Sequence, residues 1–211
     1  MTRSRLLTLA GLVALVVVVA IGFAQSGGTG GNQPVAGGTG GNQPGADDGA
    51  SRLTVERART ELAGAPAPLA ALYRDANRVL PSSRAKVEAR VAGLRGTPIV
   101  VNKWASWCGP CRAEFPYFQT AAKRLGKRVA FVGLNAGDNR ENATAFLQEF
   151  PLPYPSLEDP NEKAAFALGA SSNFPITLFY NAAGKQTFAH QGGYATEELL
   201  VQDIERYALG S

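Results

Sequence analysis

Cys108 and Cys111 are the residues of this chain best placed to do chemistry, and they are its only cysteines. They lie within Trp107-Cys108-Gly109-Pro110-Cys111, after the apolar run Pro98–Trp104 and before a helical pattern. Two thiols at this spacing, where a strand feeds a helix, can form a reversible dithiol/disulfide couple. The first thiol would stand at the positive end of a helix, where unpaired N–H groups favour a thiolate. Such a setting lowers a cysteine pKa from about 8.5 into the range of roughly 3.5–7.5. The thiolate is the species that attacks a disulfide.

Zinc is the competing use of a Cys-x-x-Cys pair. It calls for four ligands, whereas this chain offers two cysteines and one remote histidine, His190. No resident metal is expected. The surroundings favour redox chemistry instead. Pro116 falls five residues after Cys111, where a proline should kink the helix, and Phe115, Phe118, Ala122 and Leu125 mark that helix's apolar face. Much later, Pro175 opens a second apolar run, Pro175–Tyr180, as a proline can at the first position of a strand.

Together these residues resemble the thioredoxin superfamily over roughly residues 96–208. There a Trp-Cys-Gly-Pro-Cys-Arg/Lys motif, a helix proline and a later cis-proline facing the cysteines recur in this order. They match Trp107–Arg112, Pro116 and Pro175. Three features are similar to the membrane-anchored, extracytoplasmic TlpA/ResA-like branch. Asn102 stands where cytosolic relatives carry a buried Asp, Glu114 follows the second cysteine by three residues, and a long stretch separates Cys111 from Pro175. The resemblance implies an α/β thioredoxin-like fold, a central mixed sheet flanked by helices.

It also implies a protein-disulfide oxidoreductase with a redox-active Cys108–Cys111 disulfide. Cys108 would be the attacking nucleophile and Cys111 the resolving thiol. Gly109, Pro110 and Pro116 would shape the motif, and Trp107, Phe174 and a cis Pro175 would border the substrate groove. Glu114 is either a solvated helix charge or a proton acceptor for Cys111. Branch members act on exported protein disulfides, including apocytochrome c thiols; electrons would have to come from a membrane partner, because nothing in this chain would bind NADPH or flavin. No cofactor is expected, because nothing in the sequence reads as a nicotinamide or flavin site.

Met1–Arg5 is basic, and Leu6–Ala24 is apolar except for Thr8, about nineteen residues long. That length suits a spanning helix with its basic flank on the cytoplasmic side, so residues 1–24 are expected to be an uncleaved membrane anchor. A signal segment cleaved near Ala24 is the alternative. Residues 25–51 read as a disordered linker, with Gly-Gly-Thr-Gly-Gly-Asn-Gln-Pro at 27–34 and again at 37–44. A flexible chain of this length spans roughly 25–30 Å. Residues 52–211 then form the catalytic domain, with a helical prelude over 52–96.

Helical spacing runs from Leu69 to Leu80, and again through Val87, Val91 and Leu94. Strands are expected over 98–104, 128–135, 175–180 and 185–191, the last two as a hairpin. Helices are expected over 109–125, from Asn139 or Asn142 through Leu147, over 162–168 and over 196–209. Residues 151–160 read as a proline-rich loop. Lys103 should lay its stem on the core with its head at the surface. The formal charge of +4 comes without a basic cluster interleaved with aromatics, which argues against a nucleic-acid partner.

Three other functions compete with a reductase or isomerase: a disulfide-forming oxidant of secreted proteins, a copper-handling module using Cys108, Cys111 and His190, and a binding domain whose thiols are incidental.

Overall fold

Ile99–Trp104 forms the centre of the molecule as strand β2, and every residue in it is buried. A continuous apolar run suits a strand covered on both faces. In this computed structural model the described residues are 55–211. The expected anchor, Leu6–Ala24, and the glycine-rich repeats lie outside them.

The elements follow in order: α1 (55–61), α2 (Ala67–Tyr73), β1 (Val79–Leu80), α3 (Arg84–Ala92), β2, α4 (Gly109–Leu125), β3 (Ala130–Ala136), α5 (Arg140–Glu149), β4 (Ser156–Asp159), α6 (Lys163–Ala167), β5 (Ile176–Tyr180), β6 (Gln186–Gln191) and α7 (Glu197–Asp203). A π-helical segment, Ile204–Leu209, closes the chain. The strands form one six-stranded sheet in the order β1-β4-β3-β2-β5-β6. β2 runs parallel to β3 and antiparallel to β5. The expected mixed sheet with flanking helices is therefore present.

Helix α4 carries the cysteines. Cys111, Glu114, Phe115, Phe118, Ala121, Ala122 and Leu125 make its buried face, the three-and-four spacing of an amphipathic helix. Pro110 sits in its first turn, where a missing N–H costs nothing. The helix continues through Pro116 to Leu125. Behind it, Trp104 packs edge-on to Phe115 and stacks on Phe146, and its indole N–H donates to Ser156 Oγ at 3.1 Å. Gly133 allows this close approach, since a Cβ there would collide with the Ser156 hydroxyl.

Four expectations are corrected. The helical run from Leu69 stops at Tyr73, and Val79–Leu80 pairs with β4 as an edge strand. Asn77 breaks the helix: its φ of 60° is left-handed, and its amide binds Leu147 C=O and Leu152 N–H instead. The proline-rich 151–160 segment contains β4. The closing helix changes to π-helix at Ile204. Leu199, expected on its apolar side, is exposed, and Val201 is buried in its place.

Candidate redox site

The chain reverses from β2 into α4 over Ala105–Cys108, and Cys108 is the N-cap of α4. Its sulfur takes the place usually held by a Ser or Asp oxygen and accepts the Cys111 N–H at 3.1 Å. Cys108 and Cys111 form a disulfide with a Cα–Cα distance of 5.3 Å. Cys108 keeps 4% exposure, whereas Cys111 has none. On reduction, the amide and the helix end favour charge on Cys108. Burial disfavours it on Cys111.

Glu114 is three residues further along the same buried face and has no exposed surface, which overturns its reading as a solvated helix charge. Its Oε1 accepts from Asn102 Nδ2 at 2.9 Å, and its Oε2 accepts from the Tyr194 N–H at 3.1 Å. Burial pushes the carboxyl up to about 7, against the two hydrogen bonds that lower it. Asn102 therefore serves the site as a donor to the carboxylate. Tyr194 was not legible as a site residue, because it meets Glu114 from 80 residues away.

The bond between Phe174 and Pro175 is cis. Pro175 C=O accepts the Gly192 N–H at 2.9 Å, and a Cβ on neighbouring Gly193 would lie 3.3 Å from Pro110 O. The proline loop, the 192–193 turn and the cysteine motif thus share one rim. Trp107 is 61% exposed, so it is not core. Its indole N–H donates to Gly137 C=O at 3.0 Å, and its ring stands edge-on to Phe174 at 4.8 Å. Asp138 fixes the approach to the motif by accepting from the Ser106 N–H and hydroxyl at 2.7 and 3.0 Å.

His190 lies on β6. Its ring stacks on Tyr194 at 4.0 Å, and its Nδ1 is 3.4 Å from Asp203. Tyr194 OH donates to the same carboxylate at 2.8 Å; burial first, and then this bond, raises the phenol. Among the described residues no three His, Cys, Asp or Glu side chains converge as a metal site. Lys103 departs from expectation: its ammonium is buried, 2.8 Å from Glu162.

Residues 63–192 match the Redoxin family. The chain is 42% identical over 123 residues to the thiol:disulfide interchange protein CycY of Rhizobium leguminosarum bv. viciae, covering 56% of this chain and 64% of that one. It is 36% identical over 105 residues to the thiol:disulfide interchange protein DsbE of Tatumella citrea, covering 49% and 55%. The match thus spans little more than half the length of these relatives. A crystal structure of a DsbE-type thiol:disulfide interchange protein from Chlorobium tepidum superposes with a TM-score of 0.50 at 28% identity, covering 55% of this chain and 83% of that one.

Proposed function

The chain belongs to the Redoxin family, and from that premise we propose that it is an extracytoplasmic protein-disulfide oxidoreductase working in the reducing or isomerising direction. The observation that carries this reading is the Cys108–Cys111 disulfide at the start of α4, on one rim with cis Pro175. Thiol:disulfide interchange is also what the names of the CycY and DsbE relatives state.

In the reduced enzyme the Cys108 thiolate attacks one sulfur of a substrate disulfide. A Cys108–substrate disulfide forms and one substrate thiolate leaves. Glu114, ionised, accepts the Cys111 proton, and the Cys111 thiolate attacks Cys108 Sγ. The second substrate thiolate leaves and takes the proton held by Glu114, while the first takes one from solvent. The substrate gains two electrons and two protons, and the enzyme is left with the Cys108–Cys111 disulfide. An external dithiol, supplied by a membrane partner, restores the reduced form.

The reducing direction rests on Glu114, which shares the buried face of α4 with Cys111. A carboxylate there disfavours a neighbouring thiolate. A strong oxidant has the opposite design, with its reduced form stabilised. Equilibrating the pair in defined thiol buffers is expected to give a midpoint nearer about −270 mV than about −120 mV. A midpoint at the oxidising end would assign the chain to disulfide formation.

Residues 1–24 are proposed as the membrane anchor and 25–51 as the tether for the domain at 52–211. The full-length protein is expected to stay with membranes after a carbonate wash, with its domain open to protease from outside. A soluble product beginning near Gln25 would show a cleaved signal instead.

A further inference from the structure

Lys103 has no exposed side-chain surface, yet it carries a charge and lies in the central strand. It is one residue out of step with Asn102 and therefore points to the opposite face of the sheet. Its three ammonium donors have three acceptors: Glu162 Oε2 at 2.8 Å, Ser171 C=O at 2.7 Å and Asn173 C=O at 3.2 Å. The ammonium also lies 3.8 Å from the centroid of the Phe174 ring. A buried charge is tolerated only when matched this fully. An apolar residue would fill the same strand position without that demand.

Three of these four contacts fall in residues 171–174, the segment that ends at the cis Phe174–Pro175 bond. Neither backbone group of Phe174 has a hydrogen-bond partner among the described residues. No ladder bond holds the segment at Phe174; besides the Lys103 contacts, Ser171 Oγ donates to Gln191 Oε1 at 3.0 Å. Its partner Glu162 reaches the other wall as well. Glu162 has a left-handed φ of 56°, and a Cβ on Gly137 would lie 3.3 Å from its Oε1. The Gly137 carbonyl in turn takes the indole N–H of Trp107.

We propose that Lys103 is a positioning residue: its ammonium fixes the 171–174 segment and, through Glu162, abuts the Gly137 loop, so that Phe174 and Trp107 frame a groove for an extended protein segment beside Cys108. The proposal rests on the reading of the chain as a protein-disulfide oxidoreductase. Lys103 acts through the groove, not on sulfur.

Full-length Lys103→Met and Glu162→Gln proteins separate the possibilities, with insulin as the protein disulfide and 5,5′-dithiobis(2-nitrobenzoate) as the small one. Lys103→Met is expected to raise KM for insulin about tenfold, as displaced positioning groups do. Its kcat for insulin and its rate with the small disulfide should stay within about twofold of wild type. Glu162→Gln should show the same pattern more weakly. Amide hydrogen exchange at Gly192, whose N–H donates to the Pro175 C=O that follows the segment, should quicken in both variants while β2 stays protected. An unchanged KM in folded Lys103→Met overturns the proposal, and so does an equal loss with both disulfides. If wild type reduces neither disulfide, the reading as an oxidoreductase fails, and exchange alone judges Lys103. Unchanged exchange at Gly192 in both variants then overturns it. Should Lys103→Met not fold, Glu162→Gln carries the same readouts.

Discussion

Cys108→Ser is expected to abolish disulfide reduction, down to the background of protein lacking both cysteines. Cys111→Ser is expected to lose repeated turnover yet still react once. The asymmetry follows from position. Cys108 caps α4 and keeps the little exposure the pair has. Its sulfur already accepts the Cys111 N–H, and the same amide will stabilise a thiolate more strongly than a disulfide sulfur. Cys111 sits a turn inside the helix, fully buried, so it waits for Cys108 to be engaged. In the reduced protein Cys108 should therefore be alkylated faster than Cys111 between about pH 5 and 9, because its thiolate persists to lower pH. Equal alkylation rates throughout that range would refute the division of roles.

Glu114→Gln is the second large effect. Resolution of the mixed disulfide should slow about 10- to 100-fold, the lower end of general-base assistance, since thiolate chemistry needs less help than most. The initial attack by Cys108 should change far less. In the wild type the resolution rate should rise with pH through about 7, where the carboxyl ionises, and the variant should lose that inflection. Stopped-flow kinetics on a fluorescent mixed disulfide resolves the two steps. The fold should accept the change, because the Asn102 amide can turn its Oδ1, which has no partner among the described residues, toward the new Gln N–H.

Stability provides an independent check on the same group. Glu114 has a higher pKa folded, about 7, than its ordinary 4.5. The folded state therefore holds the proton more tightly, and this stabilisation is complete below about pH 4.5. It is lost as pH rises through about 7, a change of ~3 kcal/mol. Urea midpoints of the wild type should fall across that window relative to Glu114→Gln. An unchanged resolution rate and parallel midpoints would reduce Glu114 to a packing residue.

The parts of the site readable in the sequence are those fixed by neighbours along the chain. The Cys108–Cys111 spacing, the capped start of α4, Asn139 at the head of α5 and the β5–β6 hairpin all depend on local turn and capping chemistry. What stayed hidden depends on distant partners. Ser156–Asp159 reads as loop because Pro151, Pro153, Pro155 and Pro160 surround it. Yet Ser156 is buried to receive the Trp104 indole, and Asp159 is buried to accept the Ala164 and Ala165 amides that open α6. Lys103 reads as a surface-seeking side chain, but its acceptors come from Glu162 and the 171–173 carbonyls. Burial of Glu114 was equally out of reach, since half of its hydrogen bonding comes from the Tyr194 backbone. A buried charge becomes visible only when the fold brings its counter-groups to it.

The central claim is that Cys108 makes the bond to a protein substrate and Cys111 breaks it. Trapping with full-length Cys111→Ser tests this most directly. The reduced variant is mixed with a disulfide-containing protein, quenched in acid, digested and read by mass spectrometry. The account predicts a covalent adduct joined through Cys108 to a substrate cysteine, absent in Cys108→Ser and released by added thiol. No adduct, or an adduct that forms equally well through Cys111 in the Cys108→Ser protein, would contradict it.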